Sequence, residues 1–440
     1  MSALELEIPK GYLKTEYGIF PSDWCVLTLD DVCSFAGGAQ PEKSVFSYKE
    51  QSGYIRLIQI RDYKSDKDIV YIPEKLARKK CSTVDIMIGR YGPPIFQILR
   101  GIEGAYNVAL IKATPKENID REFLYYFLKN DSLFELMDML SQRSSGQTGV
   151  ELPALKSYPI GLPPIEEQTA IANALSDVDA LISELEKLIA KKQAIKTATM
   201  QQLLTGRTRL PQFALREDGT PKGTKPSELG EIPEDWECIS IGRDTVLKAR
   251  IGWQALTTKE YQTTGDIYLV TGTDFDSGAV KWERCFYVSE WRYKQDQNIQ
   301  LRNNDVLITK DGTIGKVGYV TALSRPATLN SGVFVVRPKN NNLMQRFLFY
   351  VLTSRVFDDF INRITAGSTI THLYQKDFVN FEFSAPCIEE QTAIATILSD
   401  MDAEIQALEQ RLGKTRQIKQ GMMQELLTGK TRLIKGEAHG

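Results

Sequence analysis

The chain reads as an α/β (α+β) protein in which two pseudo-repeated globular domains are separated by two long helices forming an antiparallel coiled coil. A repeated helix, a repeated leader and a pair of divergent globules carry that expectation. Residues 162–210 (LPPIEEQTAIANALSDVDALISELEKLIAKKQAIKTATMQQLLTGRTRL) and 385–433 (APCIEEQTAIATILSDMDAEIQALEQRLGKTRQIKQGMMQELLTGKTRL) align without a gap at an offset of 223, with 29 identities in 49 positions. A likeness of that length marks a tandem duplication, and a duplication constrains the architecture before any single element does. The leader KGYLKTEYGIFPSDW (10–24) likewise matches KGTKPSELGEIPEDW (222–236) at an offset of 212. The two offsets differ, so the segments between leader and helix have drifted apart in length while keeping their order of elements.

Composition limits the alternatives. With 42% apolar and 25% charged residues the chain is of ordinary globular character, and its 440 residues exceed a single core, so two or three globular units are expected. A formal net charge of −2 excludes a uniformly basic nucleic-acid binder but permits a locally basic face. The cysteines Cys25, Cys33, Cys81, Cys238, Cys285 and Cys387 form no CxxC pair, and the only histidines are His372 and His439. No structural zinc is therefore expected. There is no signal peptide and no apolar run near ~18 residues, which reads as a reduced, cytoplasmic protein.

Taken in order, residues 1–17 form a polar N-terminal segment. Residues 18–161 form a first mixed domain with strands at YIRLIQI (54–60), DIVYI (68–72), DIMIG (85–89) and YNVALIKA (106–113), a helix over 121–140, and a closing strand near SYPIGL. The first helical region, 162–210, follows. Residues 211–229 are polar, carry Pro and Gly, and read as a flexible linker. The second domain, 230–384, has strands at DIYLVTG (266–272), KWERCFYVS (281–289), DVLITKDG (305–312), KVGYVT (316–321) and SGVFVVRP (331–338), then a helix over 342–364 and the closing strand FVNFEFSAP. The second helical region, 385–433, and a short tail, 434–440, complete the chain.

In the first helical region Ile171, Leu175, Val178, Ile182 and Leu185 step by four and three. In the second, Ile394, Leu398, Met401, Ile405 and Leu408 do the same. That is an a/d heptad seam, and two matched seams in one chain most simply cover each other. Pro163-Pro164 followed by Glu166 and Glu167 suits a helix start, where carboxylates meet the positive end of the dipole. Thr205-Gly206 and Thr428-Gly429 suit a glycine stop. About 34 residues at roughly 1.5 Å per residue give a rod of about 50 Å.

Catalytic constellations are missing. FAGGAQ (35–40) lacks the strand–loop–helix setting of a nucleotide site and reads as a turn. GPPIF (92–96) has Gly92 where an amino-methyltransferase motif needs asparagine. The GKT triplets at 413–415 and 429–431 have no glycine five residues upstream, so neither is a phosphate loop. Two histidines leave little material for a nucleophile–base pair. The chain thus reads as a binder, and as no enzyme. Loops rich in Arg, Ser, Thr and Gln on a rigid frame suit phosphate positioning and base-edge hydrogen bonding. The DNA-binding candidates are Arg56, Arg61, Arg90, Tyr91, Arg143, Ser145, Gln147 and Thr148 in the first domain. In the second they are Arg250, Lys310, Ser368, Thr369 and His372. SSGQTG and AGSTITH occupy matching places after the domain helix. No metal ligand set is present among these candidates.

With PPIEEQTAIANALSDVDALI…LLTGRTRL, PCIEEQTAIATILSDMDAEI…LLTGKTRL and the doubled GxxPxDW leader, the chain resembles the specificity subunit of type I restriction–modification enzymes over essentially its whole length. The resemblance implies that each globule is a target recognition domain reading one half of a split, asymmetric DNA sequence. It further implies that the coiled coil fixes the gap between the halves, and that two methyltransferase subunits and the restriction–translocation subunits assemble on this chain. S-adenosylmethionine, ATP and Mg are then expected on partner subunits and no cofactor on this chain. Two other readings remain open at this point: the recognition portion of a single-chain restriction–methylation enzyme, and a two-headed regulatory DNA-binding protein.

Overall fold

Both long helices begin and end at the same repeat positions. In the computed structural model, which describes residues 8–15, 18–143, 149–252, 255–366 and 372–434, they span Ile165–Leu203 and Ile388–Leu426, 39 residues each. At ~1.5 Å per residue each is roughly 58 Å long, somewhat more than the seam alone suggested. The Pro164 carbonyl accepts from the amides of Glu167 and Gln168 at 2.9 and 3.0 Å, opening the first helix. Gly206 and Gly429 take φ of 69° and 71°, the left-handed stop that only glycine adopts freely.

The chain divides into two compact units, residues 1–186 with 410–440 and residues 187–409. The helices are therefore not a domain of their own. Each unit contains the start of one long helix and the end of the other, and within each unit the two segments run antiparallel. In the first unit Asp179 meets Lys419 at 2.6 Å and Glu186 meets Arg416 at 2.6 Å. In the second, Lys192 meets Glu404 at 2.6 Å and Lys196 pairs with Asp402. The expected seam is the buried one: Ile171, Leu175, Leu185, Ile394, Leu398 and Ile405 are buried, while Val178, Ile182, Met401 and Leu408 are half-buried.

A polar clamp, the same in both units, ties the helices to the leaders. The Arg432 guanidinium donates to both oxygens of Glu167, each at 2.7 Å, and to Asp23 at 2.7 and 2.8 Å. Arg209 does the same with Glu390 at 2.8 and 2.6 Å and with Asp235 at 2.7 and 2.9 Å. Each arginine also lies against its leader tryptophan, Trp24 at 5.7 Å and Trp236 at 5.6 Å. The glycine stops fit here as well: a Cβ on Gly429 would fall 2.6 Å from Pro21, and one on Gly206 2.4 Å from Pro233. Glu167, which the sequence suggests as a dipole partner, and its counterpart Glu390 are thus spent on buried ion pairs, both being 1% exposed. The following glutamines reach the globules. Gln168 accepts from the Asp120 amide at 2.8 Å, and Gln391 from the Met344 amide at 2.9 Å.

The first globule has two four-stranded sheets. One runs in the order Cys33–Gly37, Leu110–Pro115, Ile86–Gly89, Gln97–Leu99, and the other Tyr71–Pro73, Tyr54–Ile58, Gly104–Tyr106, Lys80–Cys81. Leu29, Ile86, Ile88, Phe123, Leu124 and Tyr126 join Ile171, Leu175, Leu426 and Leu427 in its core. The second globule has a six-stranded sheet, in the order Thr245–Ala249, Val333–Pro338, Val306–Thr309, Val317–Tyr319, Ala279–Val280, Phe275–Asp276, and a three-stranded sheet. In both, the strand after the tryptophan pairs antiparallel with the closing strand: Cys25–Thr28 with Pro159–Leu162, and Glu237–Ser240 with Glu382–Ala385. The globule is sealed where its chain enters and leaves.

Several elements differ from the sequence reading. The helix expected over 121–140 is two, Arg121–Leu128 and Asp131–Arg143, because the Asn130 side chain accepts from the Ser132 amide at 2.9 Å and starts a new helix. The helix expected over 342–364 is likewise Gln345–Leu352 and Arg355–Thr365. There Thr353 and Ser354 hydroxyls donate to the Phe349 and Val351 carbonyls at 3.0 and 2.7 Å, competing with the helical ladder. The single strand expected over 106–113 breaks at Asn107, whose side chain accepts from the Ala109 amide at 3.1 Å. Gly38 lies against that turn, where a Cβ would sit 1.9 Å from the Asn107 carbonyl oxygen. FAGGAQ itself, read as a turn, is instead the end of the strand Cys33–Gly37 and the extended run after it, whose Gly38 and Ala39 amides donate to the Leu110 and Tyr106 carbonyls at 2.9 and 3.1 Å. The stretch read as a flexible linker folds into a short helix, Pro211–Ala214, and contributes Thr224–Ser227 to a hairpin with Gly230–Pro233. The corresponding first leader is a hairpin too, Tyr12–Thr15 with Gly18–Pro21, so it straddles the boundary placed at residue 17.

Candidate nucleic-acid interface

In each unit a fully buried strand delivers a loop to the surface, and the segment following the domain helices is stitched to that loop through the backbone. In the first unit the strand is Ile86–Gly89. Arg90 follows, its amide donating to Ala109 at 2.8 Å and its carbonyl accepting from Val150 at 2.9 Å. In the second unit the strand is Val306–Thr309. Lys310 follows, its amide donating to Gly332 at 2.9 Å and its carbonyl accepting from Leu373 at 2.7 Å. SSGQTG and AGSTITH, which the sequence sets in matching places, lie mostly outside the described residues; Val150 and Leu373, which follow them, meet the two loops in the same way.

The side chains on the two loops differ. Arg90 is exposed, its guanidinium 5.5 Å from the half-buried Tyr91 ring, and Gly149 packs on that ring. An exposed cation backed by an aromatic plane can meet a phosphate or a guanine edge. In the second unit the Lys310 ammonium lies 5.3 Å over the Phe334 ring. Beside it, His372 Nδ1 is hydrogen-bonded to Asp311 Oδ1, and residues 311 and 372 form a backbone bridge. The His372 ring stands 4.4 Å from that of Tyr374.

The other candidates fare unevenly. Arg56 is taken by carboxylates, 2.8 Å from Asp66 and 3.6 Å from Asp62, with its side chain only 18% exposed. Arg61 remains exposed, its Nη2 donating to the Asp68 carbonyl at 3.2 Å and its Nε lying 3.9 Å from the Asp62 carboxylate. Arg250 is 2% exposed and donates to the Leu329 carbonyl and Thr328 hydroxyl at 2.8 and 3.1 Å. Burial removes it from any surface role. Arg143 closes the helix Asp131–Arg143, and Ser145, Gln147, Thr148, Ser368 and Thr369 lie outside the described residues. Asp311, which the sequence sets beside Lys310 on this loop but which is absent from the candidates, is drawn to the site by its contact with His372. Away from these loops, a groove of about 120 Å³ is lined by Asn130, Asp131, Arg416, Lys419 and Gln420. Its Lys419 and Arg416 are paired with Asp179 and Glu186, and its Gln420 amide donates to Asp131. Among the described residues no helix is long and apolar enough to cross a membrane, and no cluster of potential metal ligands occurs.

Comparison with known proteins decides what frame carries these loops. The family described as type I restriction modification DNA specificity domain matches residues 21–197 and 233–420, one copy for each repeat and most of the chain. The chain belongs to that specificity family. The specificity subunit of the type I restriction enzyme MjaVIII of Methanocaldococcus jannaschii is 26% identical over 94% of each chain. That of EcoBI of Escherichia coli is 23% identical over 88% of this chain and 81% of its own. Among solved structures, the S subunit of a type I restriction–modification system from M. genitalium superposes with a TM-score of 0.57 at 16% identity, covering 92% of this chain and 96% of that one. The fold is thus shared over 92% of the chain, whose two globules and two long helices follow in the expected order.

Proposed function

We propose that this chain is the DNA-recognition subunit of a type I restriction–modification complex, each unit reading one half of a bipartite, asymmetric target. The observation that supports this most is the matched pair of loops. Two units of one fold present, at the same structural position, the different side chains Arg90-Tyr91 and Lys310-Asp311-His372. Like frames with unlike reading heads recognise unlike half-sites. The family match and the names of the relatives place such units in specificity subunits. Phosphate contacts come from exposed cations such as Arg61 and Arg90, and base contacts from the loop tips.

On this reading the long helices act as a spacer between half-sites, the chain docks two methyltransferase subunits and the restriction subunits, and it works in the cytoplasm. S-adenosylmethionine, ATP and Mg belong to those partners, and adenine methylation and cleavage are theirs. Selection from a pool of randomised duplexes by the full-length chain, at one fixed salt concentration, tests the proposal. The expected result is two short unlike motifs at a constant gap. Enrichment of no sequence, or of one palindrome, rejects it.

A further inference from the structure

We propose that Asp311, oriented by His372, is a specificity-determining residue that accepts a hydrogen bond from the exocyclic amine of a cytosine in the half-site read by the second unit; this rests on the DNA-recognition reading above. The turn carrying Asp311 is held rigidly. Thr309, 2% exposed, accepts at its hydroxyl from the Lys316 amide at 2.9 Å, donates to the Thr313 carbonyl, and takes the Gly315 amide on its own carbonyl at 2.9 Å. Lys310 is fixed on both sides, to Gly332 and to Leu373. The imidazole that binds Oδ1 is itself packed against Tyr374. Oδ2 makes no hydrogen bond to any described residue, and the side chain is 47% exposed.

A preorganised, half-exposed acceptor at the tip of a DNA-facing loop has a narrow range of uses. An ionised carboxylate only accepts, so it is repelled by phosphates and by the O6 and N7 of guanine or the O4 of thymine. Adenine sets an N7 acceptor beside its amine, which opposes the second carboxylate oxygen. Cytosine N4 offers a donor with a C5–H, not an acceptor, on the outer edge of its own ring, and is the partner such a group suits best. His372 holds the rotamer, which makes it a positioning residue. The first unit has Tyr91 where the second has Asp311, so this reading belongs to one half-site alone.

The test compares the wild-type full-length chain with D311N and H372Q in the same duplex selection, each variant first shown to melt like the parent. The expected wild-type motif has a cytosine at one position of one half. D311N should lose that preference by on the order of tenfold, moving toward adenine, which an amide matches in both donor and acceptor. H372Q should weaken the same position only. Every other position and the affinity for unrelated duplex should stay as in the parent. A motif that D311N leaves unchanged, or a uniform loss of affinity without change of preference, overturns the assignment to Asp311 while leaving the recognition reading intact. If the wild-type chain enriches nothing, the recognition reading fails and this inference with it.

Discussion

The Glu167–Arg432 and Glu390–Arg209 clamps look alike, yet one atom separates them. Trp24 Nε1 donates to Glu167 at 3.1 Å, whereas Trp236 Nε1 is buried without a partner among the described residues. Removing the glutamate from either clamp leaves its guanidinium paired with Asp23 or Asp235 alone and two of its donors unmatched, which costs about 1–3 kcal/mol. Glu167→Ala also orphans an indole donor that Glu390→Ala does not. Chemical denaturation should therefore show the larger loss for Glu167→Ala, and equal losses would contradict the geometry. The clamp also predicts acid sensitivity. Burial pushes Asp235 upward, but the Arg209 and Lys222 hydrogen bonds outweigh it and hold the carboxyl at about 2, against 3.8 ordinarily. Arg432 likewise holds Asp23 low. A carboxyl depressed on folding contributes stability that is full above its ordinary value and is lost as pH falls through the folded one. The contribution of Asp235 should thus disappear between pH 3.8 and about 2. Arg209→Gln should lower stability at neutral pH and flatten that acid slope; a slope unchanged in this variant would show that Asp235 is not its source. None of this is visible along the chain, since Glu167 and Arg432 stand 265 positions apart. A carboxylate in a first helical turn reads locally as a dipole partner.

At the scale of elements the duplication did most of the predicting. A seam of apolar residues at four-and-three spacing leaves few choices for its partner, and Leu175 and Leu398 are buried without remainder. Helix ends were legible for the same reason, because Gly206 and Gly429 need a left-handed backbone that glycine alone takes freely. Breaks inside helices were not. Asn130 and Thr353 are polar residues within apolar-rich runs, and only the position of neighbouring carbonyls and amides decides whether their side chains end a helix. The regular seam makes the rods adjustable in whole turns. Removing seven residues from each helix, at matching repeat positions, shortens both by roughly 10 Å and preserves the a/d register. If the helices set the gap, duplex selection should then return both half-sites unaltered with a gap shortened by about three base pairs. Changed half-sites at an unchanged gap would separate the helices from any role in spacing.

For the whole molecule, what the sequence left unread lies where the two repeats diverge. The frame is repeated, so each copy checks the other; the loops are not. Arg250 looked like a reading residue from its neighbourhood, yet it bonds to Leu329 and Thr328 in the core. Asp311 looked unremarkable, yet it meets His372 from 61 positions away. This division of labour predicts that a reading head can be exchanged without disturbing the frame. The first globule enters and leaves through one strand pair, Cys25–Thr28 with Pro159–Leu162, and it is tied to the helices by the core it shares with Ile171, Leu175, Leu426 and Leu427, by Tyr126 donating to Asp179 at 2.9 Å and by the Gln168 contact to Asp120. A domain from a related chain that keeps the leader tryptophan, the closing strand and an acceptable partner for Gln168 should fit the same seat. Replacing residues 18–161 in this way should change one half-site of the selected motif and leave the other half and the gap as they were. Should both halves change together, the units do not read independently, and the clamp and seam would have to carry information between them instead of only holding them.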